Sequence, residues 1–149
     1  KIALPVLMVL LIVLPVVTQT DLFKPQSYLI EPEINTGLKL KQIYRGGNVI
    51  CDSPAIIYYS QLDPESVYSS NYIFWYGKTW NKLELREWLR QHRVTYLVWQ
   101  NASYSATWWL FPELGQGESA SVDQIGFELK YTVQTGLQPI HIYEIILPK

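Results

Sequence analysis

The chain has 149 residues, a formal net charge of −1 and one cysteine, Cys51. This length predicts one domain with a sizeable core, and the balanced charge argues against a nucleic-acid-binding face. A single cysteine excludes an internal disulfide framework and a multi-cysteine metal site. The aromatic residues are 11 Tyr, 6 Trp and only 4 Phe, a balance typical of half-wetted surfaces, membrane interfaces and sugar-binding walls.

The first segment, Ile2 to Val17, contains no charged or polar side chain. As a helix it would span about 24 Å, close to the roughly 30 Å of a bilayer core. A signal peptide is the alternative, but the following "TQTDLF" lacks a small-x-small cleavage site. We therefore predict the end of a transmembrane helix over residues 1–18 and a juxtamembrane connector over residues 19–32. A separate soluble α/β domain is predicted over residues 33–149.

Residues 33–44 have helical periodicity, and "RGGN" ends that helix with glycine where a left-handed cap would lie. "VICD" is predicted to be a buried strand. The next segment, "SPAIIYYSQL", begins with Ser53 as a candidate N-cap and Pro54 at the first helical position. This stretch is therefore predicted to run from strand through a tight turn into a short helix.

Residues 79–93 form the clearest predicted helix, with Asn81 and Glu84 at capping-box spacing. A buried strand follows at residues 94–100. Because a helix followed by a strand occurs twice, we predict an α/β fold with a mainly parallel sheet and flanking helices. The final "IGFELKYTVQTGLQPIHIYEIIL" alternates apolar residues on both sides of Thr135-Gly136, which predicts a C-terminal antiparallel hairpin at one edge. "VYSSNYIFWYG" has no clear assignment.

Asp52 is the carboxylate of greatest functional interest, because it follows a predicted parallel strand at the end where ligands bind in open α/β sheets. The favoured structural alternative is that it caps the helix beginning at Ser53. His92 and His141 lack metal-ligand spacing, and we expect both to be structural or solvated. His92 is predicted to lie at a helix end, and His141 is predicted to point outward from an edge strand. The sequence has no glycine-rich phosphate loop, so we expect no nucleotide cofactor, and we expect neither histidine to bind a metal.

Two aromatic pairs are further candidates for ligand-facing residues: Tyr58 with Tyr59, and Trp108 with Trp109. Adjacent rings of this kind can stack on a sugar, but they also occur on surfaces that lie against a bilayer. "NAS" at Asn101 is a glycosylation sequon in a predicted loop. It is consistent with an extracytoplasmic location.

Three segments together resemble the C-terminal part of membrane glycosyltransferases: "LKLKQIYRGGNVICDSPAIIYYSQL", "LREWLRQHRVTYLVW" and "QPIHIYEI". They are similar to the protein O-mannosyltransferase-like and aminoarabinose-transferase-like group of polyprenyl-phosphate-sugar enzymes. The resemblance implies a last transmembrane helix that leads into a soluble extracytoplasmic domain. It also implies that the catalytic acidic residues lie in an earlier loop, outside this fragment.

The resemblance favours a non-catalytic domain that supports acceptor recognition or stability in such an enzyme. Its implied partners are the upstream transmembrane part of the same protein, membrane lipid or a polyprenyl-phosphate sugar, and a glycan or protein acceptor. The alternative is a membrane-anchored carbohydrate- or protein-binding module. A stand-alone enzyme using Asp52 is the weakest hypothesis, because no base, nucleophile or cofactor loop accompanies that residue.

Overall fold

The computed structural model describes residues 27–76, 82–134 and 138–148, which form a mixed α/β fold. The helices are α1 (Ser27–Ile43), α2 (Pro54–Ser60), α3 (Ser70–Tyr76), α4 (Lys82–Gln91) and α5 (Thr107–Leu110). The strands are β1 (Asn48–Ile50), β2 (Val67–Tyr68), β3 (Val94–Gln100), β4 (Ala120–Val122), β5 (Ile125–Val133) and β6 (Ile140–Ile146).

The six strands form one sheet in the order β2-β1-β3-β6-β5-β4. Strand β1 pairs in parallel with β2 and β3, whereas the pairings β3–β6, β6–β5 and β5–β4 are antiparallel. The predicted α/β class and the antiparallel hairpin are confirmed, but the prediction of a mainly parallel sheet is wrong. The reason is that β6 pairs with β3 in the middle of the sheet, and β5 and β4 then extend the antiparallel half.

Helices cover both faces of the sheet, so two separate apolar cores form. Leu40 of α1 and Ile56 of α2 pack on one face, against side chains such as Val98 of β3. Ile73 of α3 and Leu89 of α4 belong to the core on the opposite face. Successive residues of a strand point to opposite faces, which explains why β1 and β3 are apolar along nearly their whole length.

The predicted strand, turn and helix around residue 52 are confirmed. Strand β1 ends at Ile50, and the Ser53 hydroxyl accepts a hydrogen bond from the Ile56 N–H at 3.2 Å. Pro54 occupies the first turn of α2, where its missing N–H needs no partner. The helix ends at Gln61 in a left-handed conformation, with φ 56°.

Helix α1 begins at Ser27, so the last six positions of the predicted connector over residues 19–32 are helical. The transmembrane helix predicted for residues 1–18 lies outside the described residues. Among the helices that the structure does describe, none is long and apolar enough to cross a bilayer.

Other elements differ from the sequence prediction in their extent. Helix α4 covers Lys82–Gln91 of the helix predicted over residues 79–93, and the Asn81 cap lies outside the described residues. The unassigned segment "VYSSNYIFWYG" contains β2 and α3. The predicted loop after β3 contains α5 and a short 3-10 helix at Pro112–Gln116.

Candidate functional site

The candidate site lies where the connections from two neighbouring parallel strands diverge. The chain leaves β1 into α2 on one face of the sheet, and it leaves β3 into α5 on the other face. Such a divergence opens a crevice outside the carboxyl ends of the two strands. We call this end of the sheet the carboxyl edge.

Asp52 lies at the carboxyl edge, where its carboxylate accepts four hydrogen bonds. Oδ1 accepts the Ser69 hydroxyl at 2.7 Å and the Ser70 backbone N–H at 2.8 Å. Oδ2 accepts the Ser105 hydroxyl at 2.8 Å and a short hydrogen bond from the Ser70 hydroxyl. A carboxylate offers about four lone-pair positions, so this arrangement uses them all. We call these four residues the Asp52 cluster.

The prediction that Asp52 caps the helix beginning at Ser53 is wrong, because Ser53 supplies that cap with its own hydroxyl. Asp52 instead binds the first N–H of α3, which is one of the donors that a helix leaves unpaired. It also connects β1 to the segment after β3 through Ser105. The carboxylate therefore holds three separate segments together.

The hydrogen bonds of the Asp52 cluster continue into the start of α5. The Ser70 hydroxyl accepts the Ala106 N–H at 2.8 Å, and the Ser105 hydroxyl lies 2.9 Å from that of Thr107. Thr107 in turn accepts the Gln100 N–H at 2.9 Å. Buried polar networks of this kind fix local geometry when their members are satisfied.

A second group, which we call the Tyr104 cluster, consists of Glu33, Gln100 and Tyr104. The Tyr104 hydroxyl donates a short hydrogen bond to Glu33, and the Gln100 amide donates to the same carboxylate at 3.4 Å. Burial, reinforced by the Glu33 carboxylate, raises the pKa of Tyr104. The side-chain amide oxygen of Gln100, Oε1, is buried and accepts no hydrogen bond from the described part of the chain.

A cavity of about 260 Å³ connects the two clusters. Its walls combine apolar side chains with hydroxyl, amide and carboxylate groups, and the lining residues are Cys51, Asp52, Ile57, Pro64, Val67, Ser69, Asn71 and Tyr104. This volume is close to the lower end of the roughly 300–1,000 Å³ of small-molecule sites. Mixed walls of this kind suit a small ligand with both polar and apolar surfaces.

Cys51 contributes bulk to this cavity rather than a reactive group. It is only 2% exposed, and burial raises the pKa of its thiol to about 12. The thiolate is the nucleophilic form of cysteine, so this thiol is unreactive at neutral pH.

The predicted aromatic pairs do not line the cavity. Tyr58 is exposed on α2 and contacts Tyr59, with ring centroids 5.2 Å apart. Trp108 packs on the core of the other face, whereas Trp109 is exposed. Of the predicted ligand-facing residues, the structure therefore places Asp52 alone at the cavity.

Asn101, the predicted glycosylation site, is exposed directly after β3. Its position at the carboxyl edge makes the side chain accessible. Modification of Asn101 remains a prediction.

His141 is structural, as one of the two expected alternatives, but its predicted orientation is wrong. We expected it to point outward from an edge strand, but β6 lies inside the sheet and His141 is 2% exposed. Burial lowers its pKa, and Nδ1 lies 3.0 Å from the Thr132 hydroxyl. In the described ranges no three His, Cys, Asp or Glu residues form a group that could hold a metal ion.

Sequence reasoning missed the partners of Asp52 and the whole Tyr104 cluster. Ser69 and Ser70 follow β2, a two-residue strand too short to give a periodic signal. Gln100 and Tyr104 could have been found, because they end and follow a predicted parallel strand, as Asp52 does.

Comparison with known proteins gives no relative: no family model, curated protein or solved structure matches this chain.

Proposed function

We propose that this chain is a non-catalytic ligand-recognition domain of a polyprenyl-phosphate-sugar-dependent membrane glycosyltransferase, with its ligand site at the carboxyl edge. The observation that carries the recognition role is the open cavity at the carboxyl edge, which the partly exposed Tyr104 lines. The assignment to a membrane transferase is supported by the sequence resemblance described above. The domain would lie on the extracytoplasmic face of the membrane.

The hydrogen bonds of Asp52 argue against catalysis. A general base must offer a free lone pair to the proton it abstracts, and both oxygens of Asp52 already accept two donors each. Tyr104 keeps its proton, because burial and Glu33 raise its pKa. The cavity thus has groups that bind but no activated nucleophile among the residues that line it.

The lining supports recognition of a sugar-like acceptor or donor group. Tyr104 and Asn71 bring a hydroxyl and an amide to the wall, and Ile57 and Val67 provide apolar surface. Asn71 is held in place by its hydrogen bond to the Tyr104 carbonyl at 2.6 Å. Sites with a few placed polar groups on apolar walls are typical of small-molecule binding.

The test of recognition is a titration of the full chain, in lipid nanodiscs, with methyl glycosides of different sugars, followed by ligand-observed NMR. We expect saturable binding that falls about tenfold in Tyr104→Phe, which corresponds to roughly 1.4 kcal/mol. Tyr58→Phe makes the same chemical change away from the cavity and serves as the control. Absence of binding, or equal affinity in both variants, would contradict a site at this cavity.

The membrane-transferase assignment is tested by the size of the native gene product. An antibody against residues 33–149 should detect a membrane protein several times larger than 17.3 kDa that resists carbonate extraction. A band near 17 kDa would instead favour the alternative, a membrane-anchored carbohydrate- or protein-binding module. The glycoside titration distinguishes whether that smaller protein still recognises sugar.

A further inference from the structure

Four large aromatic side chains are exposed in the segments that follow β2 and β3: Tyr72, Trp75, Tyr104 and Trp109. Their exposed fractions are 52%, 62%, 45% and 62%, respectively. Helix α3, which carries the first two, begins at the Asp52 carboxylate and is only about 10 Å long. All four rings therefore lie near the carboxyl edge, and we call them the aromatic rim.

Helix α1 begins at this same edge. Glu33, in its second turn, contacts Tyr104, while the carbonyl of Ile43 at its other end accepts the Tyr96 hydroxyl at 3.0 Å. The residues before Glu33 extend α1 by about 9 Å past this contact. In sequence they lead back to the apolar run from Ile2 to Val17. The described part of α1 thus begins on the side of the domain where the aromatic rim lies.

We infer that the aromatic rim lies against the headgroup region of a lipid bilayer, with the carboxyl edge facing the membrane. Tyr and Trp favour this region because an apolar ring and a polar tip suit its two environments. The apolar run would hold the domain close to the bilayer, so that even weak contacts by the rim would be populated. The inference rests on the membrane attachment in the proposed function, but not on sugar recognition.

Docking in this orientation has a consequence for the cavity. Tyr104 belongs to the aromatic rim and also lines the cavity. The cavity would therefore open at headgroup depth, where it meets molecules held in the membrane plane.

The test uses the full 149-residue chain with 5-fluorotryptophan, reconstituted in phosphatidylcholine vesicles. Lipid that carries a spin label on its headgroup broadens nearby fluorine resonances, and single Trp→Phe variants assign them. We expect loss of the Trp75 and Trp109 signals, whereas the signal of Trp88, which contacts His92 at the C-terminal end of α4, should persist. Persistence of the Trp75 and Trp109 signals in vesicle-bound protein would overturn the inference.

Two further outcomes would also overturn it. The first is broadening that also occurs in vesicles without the spin-labelled lipid and disappears when the protein is diluted, because contact with a second copy of the chain would then cause it. The second is recovery of the chain in the supernatant after the vesicles are sedimented, because attachment is the premise. A glycoside titration on the same sample reports sugar recognition separately, so failure of docking and failure of the binding site can be told apart.

Discussion

The Asp52 cluster and the Tyr104 cluster lie side by side at the carboxyl edge, but they differ in how completely their polar groups are paired. Both oxygens of Asp52 accept two hydrogen bonds each. In the Tyr104 cluster, the side-chain amide oxygen of Gln100 is buried without a donor from the described residues, and Tyr104 is 45% exposed. A saturated carboxylate stabilises the fold, whereas incompletely paired groups beside a cavity can still bind a ligand.

The largest expected effect is on stability, from Asp52→Ala. The change leaves the Ser70 N–H and three hydroxyls without their acceptor, so the free energy of unfolding should fall by about 3 kcal/mol. Asp63 is a matched control, since its exposed carboxylate accepts a single N–H, that of Glu65 at 3.0 Å. Asp63→Ala should lower stability by about 1 kcal/mol or less. The measurement is urea denaturation of both variants. Equal losses in the free energy of unfolding would show that Asp52 stabilises the fold no more than the exposed helix cap Asp63 does.

Gly37→Ala should disturb the Tyr104 cluster and leave the Asp52 cluster intact. A Cβ at Gly37 would lie 2.7 Å from the Ile56 carbonyl oxygen and 2.8 Å from the Tyr59 Cβ, so α1 must move away from α2. We expect a loss of about 2 kcal/mol, because the clash outweighs the roughly 1 kcal/mol by which alanine favours a helix.

Glu33 lies one helical turn before Gly37, so this movement should also weaken its hydrogen bond to Tyr104. Denaturation measures the first effect, and the NMR shift of the labelled Tyr104 ring measures the second. Leu38→Ala is the control, because Leu38 is 46% exposed on the same helix. A variant of Gly37 with unchanged stability and an unchanged Tyr104 shift would contradict the close helix contact.

Tyr104→Phe should have a much smaller effect on stability than Asp52→Ala. It removes the hydroxyl that donates to Glu33, but the Gln100 amide still reaches that carboxylate at 3.4 Å. We expect a loss of about 0.5–1 kcal/mol in the free energy of unfolding. Tyr58→Phe, at a ring that is 76% exposed, should change stability by less than this. If Tyr104→Phe lowered the free energy of unfolding as much as Asp52→Ala does, the Tyr104 cluster would stabilise the fold to the same extent as the Asp52 cluster.

The sequence predicts the local structure around these clusters better than it predicts the clusters themselves. Ser53, Pro54 and the apolar run of β3 give direct signals, and the cap, the helix and the strand are confirmed. The order of strands depends on pairings between distant segments, which leave no periodic pattern. For that reason β6 was expected near an edge, although it pairs with β3 inside the sheet.

The role of Asp52 was predicted incompletely for the same reason, because it depends on contacts between distant segments. Its position after a parallel strand indicated a site, and the structure does place a cavity there. Its partners come from residues 17, 18 and 53 positions later in the chain, and only the fold brings them together. Local reasoning therefore assigned its carboxylate to the nearest helix, whose cap Ser53 already provides.

The smallest expected effect is a pH dependence that belongs to the Tyr104 cluster. Burial and the Glu33 carboxylate raise the pKa of Tyr104, so in alkali the unfolded chain loses this proton before the folded chain does. Stability should therefore be complete below the ordinary tyrosine pKa of about 10 and decrease as the pH rises above it. Because Tyr104 is partly exposed, solvent screening keeps this contribution small.

The measurement is the difference in unfolding free energy between the parent chain and Tyr104→Phe from about pH 9 to 12. Taking the difference removes the contribution of Tyr143, whose pKa burial also raises, to about 12. Glu33→Gln removes the negative charge but not the burial, so the pKa of Tyr104 should fall while staying above its ordinary value. An alkaline loss that is the same in the parent and in Tyr104→Phe would show that the Tyr104 hydroxyl is no more shielded than an ordinary surface tyrosine. That result would mean that water already satisfies the Tyr104 hydroxyl. A ligand that binds this hydroxyl would then gain nothing over water, and the two clusters would no longer differ in how completely their polar groups are paired.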